Sequence, residues 1–226
     1  MEARINIKEQ EELFSLIGRT LKKRTEAYAV GGTAMMFLNL KETTKDVDLV
    51  FKNREDYENF REALFHLGAS KPESKIINPT KISSMLTLGN ARFDLFLEYL
   101  IHFKLTEGVI SRVKEVHEFS NLIIKIVSPE DIILFKSFAD RESDRIDVTD
   151  IIKKTNVNWD LVLAESEAQT KNAGYFFNVF LYEFIIGIKQ DFNAEIPKEF
   201  MQKLKKANRE ALLAAEKRIK QGKAFE

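Results

Sequence analysis

Residues 27–51 read AYAVGGTAMMFLNLKETTKDVDLVF, and this stretch decides the fold. Ala27–Val30 is a short strand-like run. It ends at Gly31–Gly32, and Thr33–Leu40 continue as a short apolar helix. A polar turn, Lys41–Lys45, leads into Asp46-Val-Asp-Leu-Val-Phe51. That segment alternates with period two and predicts a strand.

Asp46 and Asp48 lie two residues apart on that strand. Alternation puts both side chains on one face, about 7 Å apart along the backbone. Carboxylates placed so repel each other unless a cation lies between them, and hard divalent ions take oxygen ligands of this kind. Asp94 is the best third candidate. It sits in the apolar run Phe93-Asp-Leu-Phe-Leu97, where an unpaired carboxylate is costly. A third acid from a neighbouring strand completes a site for two metals, about 3.5–4 Å apart in phosphoryl-transfer enzymes. The alternative is an exposed strand opening on two acids, with Asp94 facing an edge. Against it stands the position of the acids at the entry to a buried strand, where Asp is disfavoured.

Gly31–Gly32–Thr33 falls between strand and helix. Glycine lets the backbone turn tightly and approach a ligand. A following helix offers free N–H groups and partial positive charge to a phosphate, and the Thr33 hydroxyl adds a donor. Alone, the pair of glycines can equally be a plain tight turn. It is neither a Walker A loop nor a GxGxxG fingerprint.

Outward from this stretch, Leu13, Phe14, Ile17 and Leu21 give a helical spacing over 7–21. Asn53 predicts the cap of a helix whose face is Tyr57, Phe60, Leu64 and Leu67 and whose end is Gly68. Residues 69–81 are polar with two prolines and predict a loop. Ser83–Leu88 and Arg92–Tyr99 flank Gly89–Asn90 as a hairpin. Val109–Val116 and Leu122–Val127 form a second hairpin candidate around Glu118–Asn121. Ser128-Pro129-Glu130-Asp131 then starts a helix: Ser as cap, Pro first, an acid third. Helices are expected at 129–139, 143–154, 159–170, 174–191 and 198–220. The expectation is a mixed α+β fold: a small mixed sheet flanked by helices, then a helical C-terminal region. The boundary falls near 155–158, giving domains 1–155 and 156–226.

Composition narrows the function classes. Lys+Arg and Asp+Glu are both 35, so no global field argues for nucleic acid or membrane. With no cysteine, disulfides, thiolate metal sites and cysteine nucleophiles are excluded. The first residues, MEARINIKEQEELF, carry early acids and no apolar run, so no signal peptide is read there. The most apolar stretch, Tyr175–Ile188, is interrupted by Asn178 and Glu183 and is too short to span a bilayer. A cytoplasmic enzyme without membrane contact is the expectation.

Taken together, Gly31–Gly32–Thr33, the spacer and Thr44-Lys45-Asp46-Val47-Asp48 resemble the nucleotidyltransferase superfamily related to polymerase beta. That pattern is Gly-Gly or Gly-Ser, a spacer, Asp-x-Asp and a later third acid. The likeness is nearest to the abortive-infection toxin nucleotidyltransferases, which carry a Thr just before Asp-x-Asp, as Thr44 stands here. Relatives also have a Ser-Pro-Glu-Asp helix start with a downstream Lys and Arg. Here these are Ser128–Asp131, Lys136 and Arg141, followed by Asp144 and Asp147. The resemblance covers residues 25–154. Three departures stand out: Thr33 where Ser is usual, a spacer of 12 residues from Thr33 to Asp46, and Lys41 where Arg is common.

The resemblance implies transfer of a nucleoside monophosphate from a nucleoside triphosphate to an acceptor hydroxyl. Asp46, Asp48 and Asp94 would hold Mg²⁺ or Mn²⁺, with Asp94 also the candidate general base. Gly31, Gly32, Thr33, Thr44 and Lys136 would bind the nucleotide. The toxin-like relatives imply tRNA, or another RNA, as acceptor and an antitoxin protein as partner. Lys136, between Phe135 and Phe138, can reach a cleft or snorkel to the surface. Arg141, Asp144, Arg145 and Asp147 have the spacing of intrahelical ion pairs. Pro197–Glu226 holds nine Lys/Arg against four Glu, enough to track a phosphate backbone or simply to solvate a helix face. His66 and His117 have no partners at catalytic spacing. Two other function classes stay open. One is a nucleotide-binding regulatory protein with the same fold and no catalysis; the other is a helical nucleic-acid-binding module.

Overall fold

In the computed structural model, residues 4–71, 83–173 and 176–220 of the chain are described. They form two compact units. One holds residues up to Ile101 together with Leu105–Ser128; the other holds His102–Lys104 and everything from Pro129.

The first unit is built on a mixed six-stranded sheet of order β5-β6-β4-β2-β10-β9. Its strands are β2 (Thr25–Ala29), β4 (Asp46–Phe51), β5 (Ser83–Leu88), β6 (Ala91–Leu97), β9 (Glu115–Phe119) and β10 (Leu122–Ile126). A separate small pairing joins β1 (Ile5–Asn6) to β3 (Thr43–Thr44), and β7 (Tyr99–Leu100) follows β6. Strands β4 and β6 run parallel, as do β2 and β10; the remaining neighbours are antiparallel. The expected hairpin about Gly89–Asn90 is present, with Leu88 paired to Ala91.

Helices α1 (Ile7–Thr20) and α3 (Arg54–His66) pack beside this sheet. Each starts where a side chain can satisfy a first-turn N–H. Asn6 accepts from the Glu9 N–H at 3.0 Å, and Asn53 accepts from that of Asp56 at 2.9 Å. The sheet face toward α3 is aromatic. Phe60 of that helix packs on Phe51 of β4 and on Phe93 of β6, at centroid distances of 5.3 and 6.2 Å. In β6 the residues on this face, Ala91, Phe93, Leu95 and Leu97, are all buried. By strand alternation, Arg92 and Asp94 point to the opposite face, as do Asp46 and Asp48 of β4.

One expected strand is corrected. Val109–Val116 does not extend as a single strand: Glu107–Ser111 is a helical turn, α4, and β9 begins at Glu115. The cause is local. Thr106 accepts from the Val109 N–H at 3.2 Å, and Glu107 lies in the first turn beside the helix's positive end. The β-branched Val109 is then buried from a helix rather than from a strand. The loop expected at 69–81 lies, from residue 72 on, outside the described residues.

The second unit is helical: α5 (Pro129–Ala139), α6 (Glu142–Lys154), α7 (Trp159–Ala173), α8 (Phe177–Phe192) and α9 (Lys198–Lys220). Helix α5 is buried on every side from Pro129 to Ser137 and is the centre of this unit. The short strand β8 (Phe103–Lys104) belongs here because α7 holds it. Gln169 accepts from the Lys104 N–H at 2.9 Å and donates to the Lys104 carbonyl at 2.8 Å. Phe103 packs edge-on against Phe135, centroids 4.2 Å apart. By packing, therefore, the chain divides at Ser128/Pro129. The boundary expected near 155–158 falls between α6 and α7, inside the helical unit. Among the described residues, no helix is long and apolar enough to cross a membrane.

Candidate active site

The register of β4 against β6 assembles the candidate site. Asp48 lies directly beside Asp94, and Asp46 directly beside Arg92. Neighbouring strands are about 4.8 Å apart, so residues in register share a face and stand within reach of each other. The three acids expected to act together are thus brought to one patch of one sheet face. All three are half-buried.

Arg92 is the member that sequence reasoning missed. Its Nη2 stands 2.5 Å from Asp46 Oδ2 and 3.3 Å from Asp94 Oδ2. A signal was present: Arg92 precedes Asp94 by two residues, so alternation places it on the same face. Its pairing with Asp46 depends on strand register, which local sequence does not give. These four groups comprise three carboxylates and one guanidinium, a net of two negative charges.

The glycine turn closes over the acids. Gly31 has φ +55°, in the left-handed region, and a Cβ there would lie 3.0 Å from Asp48 Oδ2. A Cβ on Gly32 would lie 2.4 Å from the Thr44 hydroxyl oxygen. Side chains at these positions would displace the residues opposite, so the two glycines let the turn approach both Asp48 and Thr44. Helix α2 (Gly31–Phe37) begins at this turn. Its cap, Val30, has no side-chain acceptor to offer. The first-turn N–H groups of Gly31, Gly32 and Thr33 therefore have no partner within the helix.

Thr33 is fully buried. Its hydroxyl accepts from the Asp48 N–H at 2.9 Å and lies 3.3 Å from the Asp46 carbonyl, to which it donates. The side chain thus ties the turn to the backbone of the acid strand. Thr44 is also buried, on β3, paired in register with Ile5.

Lys136 lies in the helical unit and is nine-tenths buried. Its ammonium donates to Asp144 Oδ1 and to Asp147 Oδ2, each at 2.8 Å. Arg141 Nε donates to the other Asp144 oxygen at 2.8 Å. Burial pushes the Asp144 carboxyl up, but Lys136 and Arg141 outweigh it and hold the group below the ordinary carboxylate range. Here the lysine ties α5 to α6. Arg145 bridges Asp140 and Asp191, each at 2.8 Å. His66 lies 2.7 Å from the Glu62 carbonyl, and His117 lies 2.8 Å from Glu115.

Asp46, Asp48 and Asp94 fit a hard divalent cation in donor type: all are carboxylates, on adjacent strands, under a cradle that a Cβ on Gly31 would fill. As the side chains stand, no group of three or more His, Asp or Glu is gathered to hold a metal among the described residues. Among the described residues, Arg92 is a cation that Asp46 and Asp94 share.

Several solved structures align with the chain. One is a crystal structure of ANT(2")-Ia in complex with adenylyl-2"-tobramycin. It covers 72% of this chain and 98% of its own at 16% identity, with a TM-score of 0.49. An antigenic nucleotidyltransferase-like protein from Paracoccidioides brasiliensis covers 91% of this chain and 95% of its own at 14% identity, TM-score 0.48. JHP933 from Helicobacter pylori covers 95% and 93% at 15% identity, TM-score 0.39. Among curated proteins, none matches. A family model described as a nucleotidyltransferase of unknown function (DUF6036) matches residues 8–179, which takes in the glycine turn, all three acids and α5 to α7. The chain belongs to that nucleotidyltransferase family.

Proposed function

We propose that the chain transfers a nucleoside monophosphate from a nucleoside triphosphate to an acceptor hydroxyl, with Mg²⁺ or Mn²⁺ held by Asp46, Asp48 and Asp94. The observation that carries this reading is the register of Asp48 with Asp94 beneath the Gly31–Gly32 turn. The acceptor oxygen attacks the α-phosphorus. The bond from that phosphorus to the bridging oxygen breaks, pyrophosphate leaves, and the hydroxyl proton passes to Asp94. A bound divalent ion supplies charge neutralisation at the attacking and leaving oxygens. The first-turn amides of Gly31, Gly32 and Thr33 bind the β- and γ-phosphates. Thr33 contributes its amide there, while its hydroxyl keeps the turn aligned on β4. Thr44, against Gly32, sets the depth of the turn.

We take the acceptor to be RNA, with tRNA first, as the resemblance to toxin nucleotidyltransferases suggests. That resemblance also brings an antitoxin protein as partner. The basic surplus of residues 197–226 supports an RNA acceptor.

The test is incubation with each α-³²P-labelled nucleoside triphosphate, Mg²⁺ or Mn²⁺, and separate pools of tRNA, protein and small hydroxyl compounds. Label in the RNA pool that vanishes in Asp48→Asn is the expected result. Label in no pool with any triphosphate sinks the transfer reading. One observation favours a second reading, a regulatory protein that binds nucleotide without turnover: Arg92 already serves Asp46 and Asp94 as a cation. Thermal stabilisation by a triphosphate without any label transfer would select it.

A further inference from the structure

Arg92 is joined to the carboxylates in an unusual way for an arginine. A guanidinium binds carboxylate best as a fork, two N–H groups to two oxygens. Here a single nitrogen, Nη2, serves both Asp46 and Asp94, while the buried Nε–H makes no hydrogen bond. The side chain is also 42% exposed, far more open than Asp46 at 24% or Asp94 at 18%. The strand ladder holds the Cα positions of β4 and β6, so only the Arg92 side chain needs to turn for it to leave.

We propose that Arg92 is a resident counter-ion of the carboxylate site, which a divalent cation must displace to bind. The inference rests on the metal reading above and goes beyond it. A dication bonds carboxylate oxygens directly, at about 2.0–2.1 Å for Mg²⁺. It brings two charges where the guanidinium brings one. Loading is therefore an exchange of cations, and the affinity for metal is lowered by whatever Arg92 contributes to the metal-free site. In return, Arg92 screens Asp46 from Asp94 while no metal is bound. Coupling of this kind between two binding events is typically about 5- to 150-fold.

The experiment is Mn²⁺ binding to the full chain by isothermal calorimetry, without nucleotide, in wild type, Arg92→Met, Arg92→Lys and Asp48→Asn. Arg92→Met is expected to bind Mn²⁺ about tenfold tighter than wild type. Its metal-free melting temperature should be lower, and Mn²⁺ should raise it by more than it raises wild type. Arg92→Lys keeps a charge on a narrower head and should fall between the two; it also serves if Arg92→Met does not fold. Equal or weaker binding by the folded Arg92 variants overturns the counter-ion role and leaves the metal reading standing. Asp48→Asn, whose substitution lies outside the arginine contacts, separates the two ideas. If it binds Mn²⁺ like wild type, or if no variant binds at all, the carboxylates are not a metal site and both fall.

Discussion

At Asp48 the main chain and the side chain face different parts of the glycine turn. The N–H goes to the Thr33 hydroxyl, while the carboxylate lies where a Cβ on Gly31 would crowd it. Asp48→Asn keeps the shape and removes the charge. Nucleotide transfer should fall by about a hundredfold or more, as for loss of a transition-state stabiliser, with the melting temperature unchanged or higher. Gly31→Ala acts from the other side. A non-glycine residue in the left-handed region costs roughly 1–2 kcal/mol, and the new methyl presses on the Asp48 carboxylate. Urea unfolding should show that loss, and triphosphate binding should weaken with it; a variant as stable and as tight-binding as wild type would remove the turn from the site. Residues of this kind were legible locally: two acids at a period of two, glycines between strand and helix. The Arg92 contacts and the hydrogen bonds of the Thr33 hydroxyl to β4 were not, because both depend on which strand lies alongside, and that is settled by long-range pairing.

Elements repeat this division. The cap at Asn53, the Gly89–Asn90 hairpin and the start at Pro129 are set by a few adjacent residues, and all form where expected. Segment 107–116 reads otherwise because a run of β-branched residues outweighs a single Thr cap on paper, whereas in the chain the cap decides. The join of α5 to α6 gives a test at this scale. Lys136→Met leaves Asp144 and Asp147 buried without their shared ammonium, which should cost about 3–5 kcal/mol in chemical unfolding. The same join sets an acid limit. The folded Asp144 carboxyl titrates below its unfolded value, so its contribution is full above about pH 4 and is lost as pH falls through the lower, folded value. Between pH 5 and pH 2, wild type should therefore lose stability more steeply than Asp144→Asn. Equal slopes would show that this carboxylate is not what acid attacks.

On the scale of the whole molecule, each unit has its own core: Phe51, Phe60 and Phe93 in one, Phe103, Phe135 and Phe177 in the other. Differential scanning calorimetry should resolve two transitions. Phe60→Ala, a core truncation worth about 3–5 kcal/mol, should lower one and Lys136→Met the other. One shared transition moved equally by both would mean that the units unfold together. The mixed α+β class could be read from element order alone. The packing division at 128/129 rests on contacts of α5 and α6 with α7 and α8, which are long-range.

The grip of Gln169 on Lys104 has a consequence for how such a chain can be taken apart or recombined. Three residues from within the span of the sheet unit serve as a fixture of the helical unit. A cut at 128/129 would give one fragment with a foreign strand and another with an empty slot. The helical half is thus no cassette: any hybrid that grafts helices from another source onto this six-stranded sheet must bring a matching 102–104 segment with them.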